Sequence, residues 1–215
     1  IGPFVARFDP NDQFTGGLSE DGTPIEPGGE HALGADTMGR DELSRLLHGG
    51  AISLAVALSA TLIALALGIL LGVIAGWRGG ALDAVLMQIA DISNSLPFLL
   101  IAIAVNRVVA RPEMWTLAVL LGVLSWTHLA RVTRTKTMQV RELDYVVAAR
   151  ALGASDARLV WRHVLPNVLA PAIVLGTTLV AWMVLVESSM SFLGVGVQPP
   201  TSTWGSMLRD GQDMM

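Results

Sequence analysis

The chain has 215 residues, of which 52% are hydrophobic and 15% are charged, and its mean hydropathy of +0.56 is far from that of an ordinary soluble domain. The formal net charge of −4 argues against a nucleic-acid-binding protein, because such proteins need an excess of Lys and Arg facing phosphates. The absence of cysteine excludes a disulfide, a thiolate nucleophile and a cysteine-ligated metal site. The long apolar blocks predict one helical membrane domain preceded by an extramembrane leader.

Residues 1–50 are predicted to form this leader. They carry half of the acidic residues of the chain, with many Gly and Pro but only three bases, which is typical of a solvated segment. Near the end of the leader, Asp36 or Thr37 can cap a short amphipathic helix with a stripe of leucines, which Gly49-Gly50 would end. We expect that helix to lie on the membrane surface.

The segment Ala51 to Trp77 contains no charged residue and is predicted to be the first membrane span. As a helix it would be roughly 40 Å long, which is enough to cross the hydrocarbon core with some tilt. Gly68, Gly72 and Gly76 recur every four residues and therefore share one helical face. Such a face favours close packing against another helix rather than ligand binding.

A second span is predicted from about Ala84 to Ala110. One of its helical faces is polar and carries Gln88, Asp91, Asn94 and Ser95. A carboxylate at the centre of a span is costly in lipid, so Asp91 should face protein or water. Pro97 should kink this helix because it removes one backbone hydrogen bond.

Two further spans are predicted, Met114 to Ala130 and about Leu169 to Phe192, and the second of these contains Glu187. Residues 131–167 between them carry half of the basic residues of the chain. By the positive-inside rule this loop is cytoplasmic, so the leader lies outside the cell membrane.

The cytoplasmic loop predicts two helices joined by a turn. Tyr145 to Leu152 is rich in helix formers, and Gly153 can take the left-handed conformation that ends a helix. Ser155 can cap the second helix, which Pro166 should stop. The excursion is too long to be a simple connection.

The segment Val147 to Gly153, followed by Leu165-Pro166, resembles the EAA loop of ABC importer permeases. That loop has two small residues, a Gly four positions after the second of them, and a late Leu-Pro. Val147 stands where the family has Glu, so no ion pair is expected at that position. The resemblance implies that this loop docks on an ATPase subunit. The residues it assigns to docking are Ala148, Ala149, Gly153, Ala154, Leu165 and Pro166.

Two other stretches are similar to the dipeptide, oligopeptide and nickel permeases of this family. One runs from His31 to Leu47, and the other runs from Glu187 through Ser191 to Pro200 and on to Trp204-Gly205. The resemblance implies an all-α membrane protein, an ABC importer transmembrane domain of the six-span core type, with about four spans in residues 51–215. The first and last spans are then expected to lie outside this sequence.

The family also implies partners. They are a second homologous permease subunit, two ATPase subunits, an extracytoplasmic substrate-binding protein and the lipid of a bacterial or archaeal cytoplasmic membrane. ATP and Mg would be bound by the ATPase subunits, so no catalytic, cofactor-binding or metal-binding residue is expected in this chain. The transported solute is expected to be a peptide, and a nickel chelate is the second alternative.

An enzyme is not supported, because the four histidines are scattered and Lys136, the only lysine, is not in a Walker A loop. The alternative to an importer subunit is a secondary transporter or channel that uses Asp91 and Glu187 as an ion path. Each of these two residues can also be a buried structural partner of hydroxyls or of backbone at a helix end.

Overall fold

The computed structural model of the chain describes residues 5–108 and 113–212. Within these ranges the polypeptide is helical after the leader and forms no continuous strand, only isolated bridges such as Ala35 with Asp41. The helices are α1 Glu42–Arg78, α2 Gly80–Ser95, α3 Phe98–Val108, α4 Met114–Leu124, α5 Trp126–Arg141, α6 Asp144–Ala151, α7 Asp156–Phe192 and α8 Trp204–Gln212. The predicted all-α fold is confirmed.

Two of these helices, α1 and α7, are each long and apolar enough to cross a membrane alone. Helix α2 with α3 as far as Asn106, bent by 85°, and helix α4 with α5, bent by 43°, pass the same criteria as pairs. The described residues therefore contain up to four spans, in agreement with the four predicted. Pro97 lies at the break between α2 and α3, where a kink was expected.

The prediction of a short helix that ends at Gly49-Gly50 is wrong, because α1 runs through both glycines without interruption. The Asp41 carboxylate accepts the Ser44 backbone N–H at 2.8 Å, so Asp41 caps the helix rather than Asp36 or Thr37. A Cβ atom on Gly50 would lie 2.7 Å from the Trp204 ring. The glycine pair thus permits close packing and does not end the helix.

Pro166 does not stop the last long helix, which was also expected to begin later. Helix α7 starts at Asp156 and includes a π-helical turn over Val160–Val164, where the Leu165 N–H bonds to the Val160 carbonyl. A π-turn widens the helix by one residue. We infer that this widening relieves the clash that a proline makes with the preceding turn, so that the helix continues through Pro166.

The described residues form two compact units. The leader unit comprises residues 5–58, 103–108, 113–118 and 183–212, and the loop unit comprises residues 59–102 and 119–182. In the loop unit, α1 packs on α5 through the face predicted from the glycine repeat. A Cβ atom would lie 2.5 Å from the Leu129 Cβ if placed on Gly68, and 2.6 Å from the Arg134 carbonyl oxygen if placed on Gly76. The prediction of a close helix contact at this face is confirmed.

Candidate functional site

Helix α6 ends in the turn predicted around Gly153. The Ala154 N–H bonds to the Ala149 carbonyl at 3.1 Å, and the Gly153 N–H bonds to the Arg150 carbonyl at 3.0 Å. These two bonds form a Schellman motif, which needs a left-handed residue after the helix. Gly153 has φ +86°, so the predicted conformation is confirmed at this residue.

The first turn of α7 follows at once. The Ser155 hydroxyl accepts the Arg158 backbone N–H at 3.4 Å, as expected of a cap. The α6 helix, the glycine turn and the start of α7 therefore form a single helical hairpin at the polar end of the loop unit. This hairpin is called the coupling hairpin below.

The coupling hairpin is anchored on one side by apolar side chains. Val146, Leu159 and Val164 are fully buried in a cluster that includes Trp77 at the end of α1. The Arg150 guanidinium lies over the Trp77 ring at 4.8 Å, a cation–π contact. These contacts fix the orientation of the hairpin relative to α1.

The other side of the hairpin is exposed and partly apolar. Leu152 is 89% exposed and Trp161 is 72% exposed, and Tyr145 lies beside the His163 ring at 5.5 Å between ring centroids. A Cβ atom on Gly153 would meet no atom within 4 Å. Large exposed apolar side chains beside an open backbone turn are typical of a protein contact surface.

The six residues assigned to docking divide between the two sides. Ala148, Gly153 and Pro166 are exposed, Leu165 is half-buried, and Ala149 and Ala154 pack against the buried cluster. Ala149 and Ala154 therefore belong to the anchored side of the hairpin and not to its exposed side. Sequence reasoning missed Leu152 and Trp161 as surface residues, because apolar residues in a helical hairpin are ordinarily assigned to its core.

Asp91 forms an exposed ion pair with Arg131 of α5, and its side chain remains 65% exposed. In this structure Asp91 therefore faces α5 and is paired rather than buried. Next to this pair, the Thr127 hydroxyl donates to the Asn94 side-chain oxygen at 2.8 Å. The polar face of α2 thus meets α5 inside the loop unit.

Glu187 is fully buried in the leader unit. The Ser191 hydroxyl donates to Glu187 Oε1 at 2.7 Å, whereas Oε2 has no hydrogen-bond partner among the described residues. Nearby, the Asn106 side-chain amide donates to the Val195 carbonyl. In this structure Glu187 is therefore a buried carboxylate bonded to a hydroxyl.

A charged network holds the leader together. The Asp36 carboxylate accepts the Arg40 Nε–H at 2.7 Å and the backbone N–H of Met38 at 2.9 Å, and it pairs with Arg45. Burial alone would raise the pKa of Asp36, but these hydrogen bonds and the Arg45 charge outweigh burial and hold the pKa below its ordinary value. Arg45 also pairs with Asp210 of α8 at 3.1 Å.

Because the pKa of Asp36 is lowered on folding, its stabilising effect is present above the unfolded pKa of about 3.9 and is lost as the pH falls through the folded value. We expect Asp36→Asn to lower the stability of the leader by about 2 kcal/mol at neutral pH and to weaken its sensitivity to acid. Limited proteolysis of the leader between pH 7 and pH 3 measures both effects. The exposed residue Asp12 gives the control, because Asp12→Asn should behave as wild type.

Comparison with known proteins shows the family to which the chain belongs. Residues 68–215 match the model of the binding-protein-dependent transport system inner membrane component, and the chain belongs to this family. The resemblance to ABC importer permeases is thereby confirmed, and the chain is a membrane protein.

The similarity to individual members extends over most of the chain. It is 36% identical over 211 residues to the dipeptide transport system permease protein DppC of Bacillus subtilis (strain 168), covering 98% of this chain and 64% of that protein. It is 39% identical over 212 residues to the di/tripeptide transport system permease protein DppC of Pseudomonas aeruginosa (strain UCBPP-PA14), covering 98% and 70%. It is 41% identical over 185 residues to the oligopeptide transport system permease protein OppC of Escherichia coli (strain K12), covering 86% and 61%. The chain thus spans 61% to 70% of the length of these relatives.

Proposed function

We propose that this chain is a membrane-spanning subunit of an ATP-driven importer and forms part of the translocation path for a peptide. Its partners are a second permease subunit, two ATPase subunits that bind ATP and Mg, and an extracytoplasmic binding protein that delivers the peptide. The chain itself is not catalytic. The similarity to permeases named for dipeptide, tripeptide and oligopeptide transport supports this proposal, and a peptide is favoured over a nickel chelate.

The observation that carries the proposal is the coupling hairpin. Two backbone hydrogen bonds close its Schellman turn at Gly153, its base is anchored on Trp77, and its far side is exposed and partly apolar. A rigid projection of this kind transmits a movement of the ATPase subunits to α1 and α7, since the hairpin packs on the first and continues into the second.

A secondary transporter or channel is not favoured. Such a protein would use Asp91 and Glu187 as ion carriers, whereas Asp91 is paired with Arg131 and Glu187 is bonded to Ser191. Asp91 and one oxygen of Glu187 thus already have partners within this chain.

The proposed function requires the leader outside and the coupling hairpin inside the cytoplasmic membrane. We expect a single cysteine at Thr23 to react with a membrane-impermeant maleimide in intact cells, and a single cysteine at Ala157, in the coupling hairpin, to react only after permeabilisation. Both side chains are exposed in the described structure, and this sequence has no cysteine to interfere. The opposite labelling pattern would contradict the orientation.

Transport itself is tested with the complete complex in sealed vesicles. Uptake of a labelled peptide should require the binding protein on one side and ATP on the other side. Uptake driven by an ion gradient without ATPase subunits would contradict an ATP-driven importer and favour a secondary transporter.

A further inference from the structure

A cavity of about 410 Å³ lies within the leader unit, between the end of the leader, the loop that follows α7, and α8. Its lining is rich in groups that bind anions. The charged and amide side chains on its wall are Arg40, Arg45, Gln198, Arg209 and Asp210. Three arginines and one aspartate make this wall positive.

Two of the three arginines are neutralised inside the protein. Arg40 pairs with Asp36 at 2.7 Å, and the buried Arg45 pairs with both Asp36 and Asp210. Arg209 forms no ion pair within the described ranges 5–108 and 113–212. Among the described residues, Arg209 is therefore the arginine on this wall whose guanidinium has no ion pair.

The Arg209 guanidinium lies close to a glycine in the loop after α7. Gly194 has φ +75°, and a Cβ atom placed there would lie 2.8 Å from Arg209 Nη1. The guanidinium thus lies against the loop backbone in the space that a side chain would fill.

We propose that Arg209 binds the carboxylate of an Asp or Glu side chain on the extracytoplasmic binding protein, and that this side chain enters the cavity. The inference rests on the proposed function, which supplies that partner. The cavity wall includes Met38, Arg40 and Arg45 of the leader, which is predicted to lie outside the membrane, where a binding protein arrives. A planar guanidinium pairs with a carboxylate through two parallel hydrogen bonds.

The surroundings make this contact selective. The leader carries half of the acidic residues of the chain, so most of it repels an acidic surface. One positive cavity in an acidic region accepts an acidic side chain only when the two proteins are correctly aligned. The contact therefore fixes the register of docking.

The test measures the affinity of the peptide-loaded binding protein for the complete complex in lipid nanodiscs. We expect Arg209→Gln to raise the dissociation constant about tenfold and to reduce its dependence on salt concentration. Arg209→Lys keeps the positive charge but lacks the planar guanidinium, so it should raise the dissociation constant less than Arg209→Gln does. Gly194→Ala keeps the arginine but occupies the space of its guanidinium, so it should also weaken binding. Arg7→Gln removes an exposed leader arginine outside the cavity and should change nothing.

A charge exchange identifies the partner residue. Arg209→Glu should weaken binding, and replacement of one acidic residue on the binding protein by Arg should restore it. Three outcomes overturn the proposal: an unchanged dissociation constant in Arg209→Gln, an equal effect of Arg7→Gln, or a loss seen only in the peptide concentration for half-maximal uptake at saturating binding protein. The last outcome would assign the cavity to the peptide carboxylate. A wild-type complex without ATP-dependent uptake would instead contradict the proposed function before any variant is compared.

Discussion

Replacement of Gly153 by Val is expected to weaken docking of the ATPase subunits about tenfold while the membrane helices remain inserted. Gly153 has φ +86°, a conformation that costs a residue with a side chain roughly 1–2 kcal/mol, and a β-branched residue more. No atom of this chain lies within 4 Å of the position of the added Cβ. The new side chain would therefore enter the space that we assign to the docked ATPase.

Co-purification of the ATPase subunits and the stimulation of ATP hydrolysis by the loaded binding protein measure this effect. Gly153→Ala should be milder, because it adds a single methyl group. Gly22 provides a matched control in the leader, since it has φ +76° and equally open surroundings. Wild-type coupling in Gly153→Val would mean that the docking site is misplaced. An equal loss in Gly22→Val would assign the effect to general destabilisation.

Replacement of Gly72 by Val is expected to disrupt the packing of α1 on α5 and to lower the stability of the complex by about 3 kcal/mol. A Cβ atom on Gly72 would overlap the Thr133 hydroxyl and lie 2.5 Å from the Ala130 carbonyl oxygen. The Thr133 hydroxyl lies 2.8 Å from the Gly68 carbonyl oxygen of α1 and 2.9 Å from the Leu129 carbonyl oxygen of α5, so its displacement removes a polar contact between the two helices. Backbone atoms on α5 cannot move away without separating the helices.

The yield of assembled complex and its thermal stability in detergent measure the Gly72 effect. Gly72→Ala should already be harmful, since the first added carbon makes the clash. Gly211 in α8 has no atom within 4 Å of its Cβ position, so Gly211→Ala should be neutral or slightly stabilising. Normal assembly of Gly72→Val would contradict the close contact described between α1 and α5.

The features that the sequence predicted correctly depend on short-range rules. The repeat of Gly68, Gly72 and Gly76 places three residues on one face whatever the helix meets. The Gly153 turn follows from the conformational freedom of glycine and from a helix former on one side with a capping Ser155 on the other. The number of spans follows from the length of the apolar blocks.

The features that the sequence did not reveal depend on contacts between distant residues. Judged from the neighbouring residues alone, Gly49-Gly50 predicts the end of a helix. The close approach of Trp204 explains why the two glycines lie inside a helix instead. Pro166 is locally a stop, and the π-turn before it depends on the whole of α7. The exposure of Leu152 and Trp161 is equally invisible, because hydrophobicity gives no information about which apolar side chains a partner covers.

The bonds between the leader and α8 have a consequence for the order in which the newly made chain can fold. Arg45 meets Asp210 across 165 positions, and the Trp204 indole N–H bonds to the Leu46 carbonyl across 158 positions. The ribosome makes the leader well before it makes α8. Arg45 therefore cannot pair with Asp210 while α1 to α7 are being synthesised. During that interval the leader lacks these two bonds to α8, whereas local bonds such as that between Asp36 and Arg40 can already form. In a nascent chain arrested before residue 204, the leader should therefore be more accessible to proteases and chaperones than in the complete chain.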